Sequence, residues 1–219
     1  MKPVADPERF LEILQPERCP LCFIVSDYGH EHLKSVLEES VTDPSTRQAL
    51  FDSKGFCRRH AWKAVGQSHP LGLAVIYQSL LEKGLKDLDA GPNPFGKLRA
   101  RLRGGKKVKP CPICESEKKR ERSVVEQFAL AWDQSEELRR AFTERGLLCL
   151  RHLEGALSEK MKPTHLKNLR ETGKKALEKL LKELNEFLEK QDYHRSHESF
   201  TKERDAWIRV IRVISGERE

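Results

Sequence analysis

The chain has 219 residues, 34% of them charged and 37% apolar, with a net charge of +7. No stretch reaches the roughly 20 apolar residues that cross a bilayer, and Met1 to Phe10 lack the apolar core of a secretion signal, so a cytoplasmic protein with no membrane role is expected. The charge excess sits in one place: Lys97, Arg99, Arg101, Arg103, Lys106, Lys107 and Lys109 lie in a segment, 91–110, that contains no acidic residue.

Helical periodicity dominates the rest of the chain and long alternating runs are missing, which predicts an all-α fold. The first predicted helix opens at Cys19-Pro20-Leu21-Cys22 and carries Phe23, Leu33, Val36 and Leu37. Asp43-Pro44 reads as an N-cap with proline at the first helical position, starting a short helix that stops at Gly55. The next helix carries Cys57, His60, Ala61, Ala64 and Val65, and a further one runs from about Pro70 to Leu88 through Leu73, Ile76, Tyr77, Leu80 and Leu81. Gly91-Pro92-Asn93-Pro94 then breaks the chain.

The same order recurs after the break. A helix bearing Val124, Val125, Phe128, Ala131 and Trp132 follows Cys111-Pro112-Ile113-Cys114; Asp133 with Glu136 suggests a capping box; Gly146 ends a short helix; Cys149 and His152 open another. Pro163 starts a long amphipathic helix with a stripe of Leu166, Leu169, Ala176, Leu177, Leu180, Leu181, Leu184, Phe187 and Leu188. A last helix over Phe200 to Ile214 is expected to bury Trp207, Ile208, Ile211 and Ile214. The expected organisation is a unit over 1–90, a basic linker over 91–110, a second unit over 111–162, and C-terminal helices over 163–219 packing on the core.

The recurrence is in register. Cys19, Cys22, Cys57 and His60 match Cys111, Cys114, Cys149 and His152 at a shift of 92, and in both copies 34 residues separate the two motifs. The shift also lays Arg47 on Arg139, Arg59 on Arg151 and Ala64 on Ala156, and apolar Leu33, Val36, Leu50 and Val65 on apolar Val125, Phe128, Phe142 and Leu157. All six cysteines are used. Spaced Cys and His in a reducing compartment point to metal rather than disulfides. Three thiolates and one imidazole suit a tetrahedral Zn²⁺ site, so two zinc ions per chain are expected, each held within one copy. An iron–sulfur cluster is the lesser alternative. In Cys-Pro-x-Cys, proline favours a helix start, where the macrodipole stabilises thiolate. In Cys-x-x-His, the spacing places both ligands on one helical face, a turn apart.

Four protein ligands leave no open coordination position, and no hydrolase triad, phosphate loop or dinucleotide motif is present; a non-enzymatic, zinc-stabilised binding or scaffold protein with an unknown protein partner is the leading expectation. A redox- or metal-responsive thiol protein and a nucleic-acid binder using segment 91–110 are the alternatives. His30, His32, His69, His165, His194 and His197 fall in no ligand-like constellation.

At these motifs the chain resembles an uncharacterised bacterial family with C-P-x-C, then G-x-C-x-x-H, then a second C-P-x-C and C-x-x-H. A helical tail follows with an aspartate–tyrosine pair and a late tryptophan, here Asp192-Tyr193 and Trp207. The resemblance implies architecture and metal binding, and carries no activity.

Overall fold

The computed structural model describes residues 6–67, 69–89, 108–191 and 198–217. Among them the only regular elements are helices: α1 (Pro7–Glu12), α2 (Pro20–Glu38), α3 (Pro44–Ser53), α4 (Arg58–Gly66), α5 (Pro70–Asp89), α6 (Pro112–Gln134), α7 (Glu136–Arg145), α8 (Leu150–Leu157), α9 (Pro163–Glu189) and α10 (Ala206–Ser215). The all-α expectation is met. Proline opens α1, α2, α3, α5, α6 and α9, where its fixed φ and missing N–H match what a first helical residue needs. The segment 91–107, Asp192-Tyr193, His194 and His197 lie outside the described residues.

Asp43 caps α3 as expected, its Oδ2 accepting the Thr46 N–H at 2.7 Å. That helix ends with Lys54 and Gly55 both at positive φ, +59° and +92°, and the Gly55 N–H bonds back to the Leu50 carbonyl. The Asp133–Glu136 capping box does not form. Ser135 caps α7 through its Oγ, while Asp133 accepts the Lys162 N–H and pairs with His165. Gly146 ends α7 as predicted, but its φ of −89° is ordinary. What requires glycine there is space: a Cβ would lie 2.4 Å from the Phe142 ring.

Contacts divide the chain into two compact units, one of residues 1–26 with 120–219, the other of 27–119. The expected partition at 1–90, 91–110, 111–162 and 163–219 differs from this one. The reason is that α2 and α6 are each long enough to serve both units: α2 gives its first turns to one and the remainder to the other, and α6 does the same in reverse.

The core of the 1–26/120–219 unit is built on the α6 stripe. Val124, Phe128, Ala131 and Trp132 are buried with Phe10, Leu21, Leu138, Phe142 and Leu169. Phe128 meets Phe10 edge-on at 5.3 Å, and Trp132 meets Phe142 edge-on at 5.6 Å. The Trp132 indole N–H donates to the His165 carbonyl. In the 27–119 unit, Leu33, Val36, Leu37, Leu50, Phe56, Ala64, Ile76 and Ile113 form the core. Residues related by the 92-residue shift thus occupy matching places in different units: Leu33 and Val125, Val36 and Phe128, Leu50 and Phe142, Ala64 and Ala156. The duplicated arginines also match in role: Arg47 donates to the Val41 carbonyl after α2, and Arg139 to the Trp132 carbonyl near the end of α6.

The C-terminal helices depart from the amphipathic reading. On α9, Leu169 and Leu180 are buried but Leu181 and Leu188 face solvent. On α10 most of the expected face is turned outward, with only Ile208 of its four residues half-buried. Ala206, Arg209 and Val213 are buried, while Trp207, Ile211 and Ile214 are 48%, 54% and 60% exposed. Arg209 decides the rotation, since it binds Glu17, Glu183, Asp205 and the Lys202 carbonyl, and those partners draw its face inward.

A second buried ion pair ties the start of this region down. Lys190, 7% exposed, donates at 2.6 Å to Glu203, 1% exposed, which also accepts from the Thr201 hydroxyl and N–H. The Lys190 bond, then those from Thr201, bring the Glu203 carboxyl down to about 2. A depressed carboxylate contributes stability that is present above its unfolded value and is lost as pH falls. Thermal melts should therefore show a pH-dependent loss of stability between about 4.5 and about 2 that Glu203→Gln makes smaller; identical pH profiles for both proteins would contradict the assignment.

Candidate metal centres

The eight predicted ligands come together as two groups of four, but not in the expected pairing. Cys19 and Cys22 meet Cys149 and His152, while Cys57 and His60 meet Cys111 and Cys114. Each copy of the repeat thus gives its C-x-x-C to one group and its C-x-x-H to the other. Each group lies wholly within one compact unit: the first in 1–26/120–219, the second in 27–119. The within-copy pairing is corrected by the helix layout. Cys19 and Cys22 start α2 in the same unit that holds α8 and His152, whereas the rest of α2 enters the other unit.

All four motifs sit at helix starts. The Cys19 and Cys111 carbonyls accept the first helical bonds of α2 and α6, from Phe23 and Glu115. Cys57 and Cys149 are the N-caps of α4 and α8, with extended backbone and no side-chain cap bond. The C-x-x-H pair is therefore N-cap and third helical residue, not two positions inside a helix. Each group faces two helix N-termini, whose partial positive charge favours thiolate. The third residue of each C-P-x-C, Leu21 or Ile113, is fully buried and anchors the motif in its core.

The geometry fits a four-coordinate ion. In the first group, His152 Nδ1 lies 3.3, 3.4 and 3.2 Å from the sulfurs of Cys19, Cys22 and Cys149, and the Cys22 and Cys149 sulfurs are 3.7 Å apart. In the second, His60 Nδ1 lies 3.4, 3.5 and 3.4 Å from Cys57, Cys111 and Cys114, with Cys57 and Cys114 at 3.6 Å. A tetrahedron with zinc–sulfur and zinc–nitrogen bonds has edges of about 3.8 Å and about 3.6 Å. Both groups could hold a metal ion; the donor set is soft and anionic enough for Zn²⁺ or iron.

Behind each histidine stands a carboxylate that the sequence did not single out. His152 Nε2 donates to Glu121 at 3.0 Å, and Arg151 grips the same oxygen at 3.0 Å. His60 Nε2 donates to Glu117 at 3.1 Å, and Arg59 binds the other Glu117 oxygen. These bonds fix the Nδ1 lone pair toward the sulfurs. They also give a role to the duplicated arginines, each adjacent to its histidine. Both glutamates come from α6. At the shift of 92 they correspond to Val25 and Gly29 of α2, so the carboxylates break the repeat. Gly29 is needed because α6 is so close: a Cβ there would lie 2.3 Å from Glu117 Oε1. No local motif marks Glu117 or Glu121, which read as ordinary acidic positions of an exposed helical face.

The electrostatics suit proton-for-metal exchange. Hydrogen bonds from Cys19 and Cys22 bring Cys149 down to about 3. Burial opposes ionisation of Cys111, yet the bond to His60 and backbone donors bring it to about 6. Burial likewise opposes charge on His60, but Cys111 and Glu117 raise it to about 9. Burial, with the bond to Cys57, pushes Cys114 up to about 12. Cys111 and His60 thus favour each other's charged forms, and the surroundings of Cys149 favour its thiolate. An entering cation displaces the remaining protons.

The other histidines are placed without such company. His32 meets the Ser116 hydroxyl, His69 pairs with Glu38, and His165 pairs with Asp133. Among the described residues, no helix is long and apolar enough to cross a membrane.

The model of the DUF6062 family, a family of unknown function, matches residues 11–219. The chain belongs to DUF6062. This DUF6062 chain is also 27% identical to the "Uncharacterized 23.9 kDa protein in xynA 3'region" of Caldicellulosiruptor sp. (strain Rt8B.4), over 94% of its own length and 98% of the relative's. No solved structure matches it.

Proposed function

We propose that this DUF6062 protein is a non-enzymatic binding or scaffold protein of the bacterial cytoplasm, stabilised by two structural Zn²⁺ ions. The observation that carries the reading is the closed donor set. Each group presents three sulfurs and one nitrogen at tetrahedral spacing, and four protein ligands leave no position for water or substrate. The histidines, locked from behind by Glu117 and Glu121, suit a permanent ligand rather than a mobile acid–base group. Free cysteines paired as metal ligands fit a reducing compartment.

A protein partner is supported by the apolar faces left to solvent. Trp207, Ile211 and Ile214 line one side of α10, and Trp62 and Val65 are exposed on α4. Elemental analysis of purified protein, with an absorption spectrum, tests the metal reading. Two zinc ions per chain and no visible absorption are expected; a coloured, iron-containing protein would overturn it.

Nucleic acid is a second candidate partner, favoured by the run of seven cations in segment 91–110. Binding of that kind weakens steeply with salt, so retention of DNA or RNA that does not depend on salt, or no retention at all, would remove it.

A further inference from the structure

The two groups use the same donors but are covered differently. All four ligands of the first are buried. The segment after α10 lies over them: the Cys19 N–H donates to Glu217 Oε1 at 3.4 Å, and a Cβ on Gly216 would sit 3.7 Å from the Cys22 sulfur. Gly216 takes φ +85°, a backbone state open to glycine, which lets the segment after α10 turn back onto the site. Glu217 is held in turn by Arg212 at 3.6 Å. The second group has no such cover among the described residues. Its Cys57 and Cys114 are only half-buried, whereas Cys111 and His60 are buried. Arg59, whose side chain is 40% exposed, reaches the Cys114 sulfur at 4.0 Å, marking that sulfur as the solvent side of the site.

The two half-buried sulfurs are also neighbours, 3.6 Å apart. We propose that the Cys57–His60–Cys111–Cys114 group is an oxidation-gated, releasable metal site, in which a hydroperoxide joins Cys57 to Cys114 and frees the ion, while the Cys19–Cys22–Cys149–His152 group retains its own. The inference rests on the metal reading above and adds a regulated function to one of its two sites.

The chemistry balances with a hydroperoxide as the oxidant. One of the two half-buried thiolates attacks the peroxide oxygen, breaking the O–O bond and forming a sulfenic acid; the leaving alkoxide or hydroxide takes a proton. The second thiolate attacks that sulfur, forming the S–S bond and expelling hydroxide, which takes another proton. Two thiolates, one hydroperoxide and two protons give one disulfide, one water and one alcohol or second water. Two electrons pass from sulfur to oxygen, and the metal keeps its oxidation state. It is left with Cys111 and His60, two donors in place of four, and departs. Access sets the order, because oxidation of a thiolate requires the oxidant to reach it.

The test uses the full chain as purified. Metal per chain is counted first, then hydrogen peroxide is titrated in the presence of a chromophoric chelator, and the cysteines are mapped by peptide mass spectrometry. The expected result is release of one of two ions, coincident with a single Cys57–Cys114 disulfide, with Cys19, Cys22 and Cys149 still reduced. Release of both ions together, release of neither, or a first disulfide involving Cys19, Cys22 or Cys149 would overturn it. Two ions at the outset without selective loss removes this inference alone; a protein that carries no metal at the outset removes the metal reading with it. A chain ending at Ser215 provides the converse arm: exposing the first group should make its ion releasable as well, and continued protection would contradict the role given to Gly216 and Glu217.

Discussion

Replacing Cys19 and Cys149 together with serine is expected to abolish metal binding at one of the two candidate sites, whereas replacing Cys19 and Cys57 together should abolish it at both. The pairs are chosen because they separate two connectivities with the same eight ligands. If each repeat closed on itself, Cys19 and Cys57 would share an ion and their joint loss would remove one. In the structure Cys19 shares its site with Cys149, and Cys57 sits with Cys111 and Cys114. The effect is large because a structural zinc ion contributes about 10–16 kcal/mol in small metal-folded peptides, which is comparable to the entire stability of a typical domain. Each lost ion should therefore unfold the unit around it. Elemental analysis paired with thermal melts reads both consequences: one ion and one surviving transition for the first variant, no ion and no cooperative transition for the second. The reverse pattern would show that the repeats close in tandem.

Replacing Glu117 with alanine should weaken metal binding at the His60 site by about 10–100-fold, the usual cost of losing the partner of a metal-bound histidine, and leave the His152 site unchanged. The variant strips the buried His60 Nε2 of its acceptor and Arg59 of its carboxylate. Glu121→Ala should do the same at His152 alone. Gly29→Ala provides an independent route to the first effect. Alanine normally favours a helix over glycine by about 1 kcal/mol, so α2 on its own would gain. Here the added Cβ would stand 2.3 Å from Glu117 Oε1 and must push the carboxylate off the histidine. Competition with a chelator of known affinity, run on each variant, measures the loss site by site. Unchanged affinity in Gly29→Ala would mean that Glu117 does not orient His60.

These results bear on why some of the protein could be read from its sequence and some could not. Helix starts were legible because proline and the capping aspartate act within one turn: Pro44 and Asp43 do what their chemistry requires whatever surrounds them. The apolar stripe on α6 was legible because Val124, Phe128 and Trp132 recur every four residues, at the helical period. The face of α10 was not, because Arg209 carries a charge that local patterning assigns to solvent. Glu17 and Glu183, distant in the chain, join Asp205 and the Lys202 carbonyl in making its burial favourable. Asp133 failed as a cap for a similar reason: Lys162 and His165, some thirty residues away, compete for its carboxylate.

The metal ligands divide along the same line. Which residues could ligate is written in the chain, since thiolate and imidazole at a spacing of three are chemical facts of it, and a shift of 92 repeats them. The proline of each C-P-x-C likewise marks a helix start, whereas the place of each C-x-x-H cysteine at an N-cap emerged only from the fold. Which motif meets which is settled by packing in three dimensions, because two identical half-sites can close within a copy or between copies with the same bonds. The choice falls to the long helices α2 and α6, which carry the start of each copy into a different compact unit from its end. The same layout decided that Glu117 and Glu121 both come from α6, and that one group is covered by the segment after α10 while two sulfurs of the other are left half-buried.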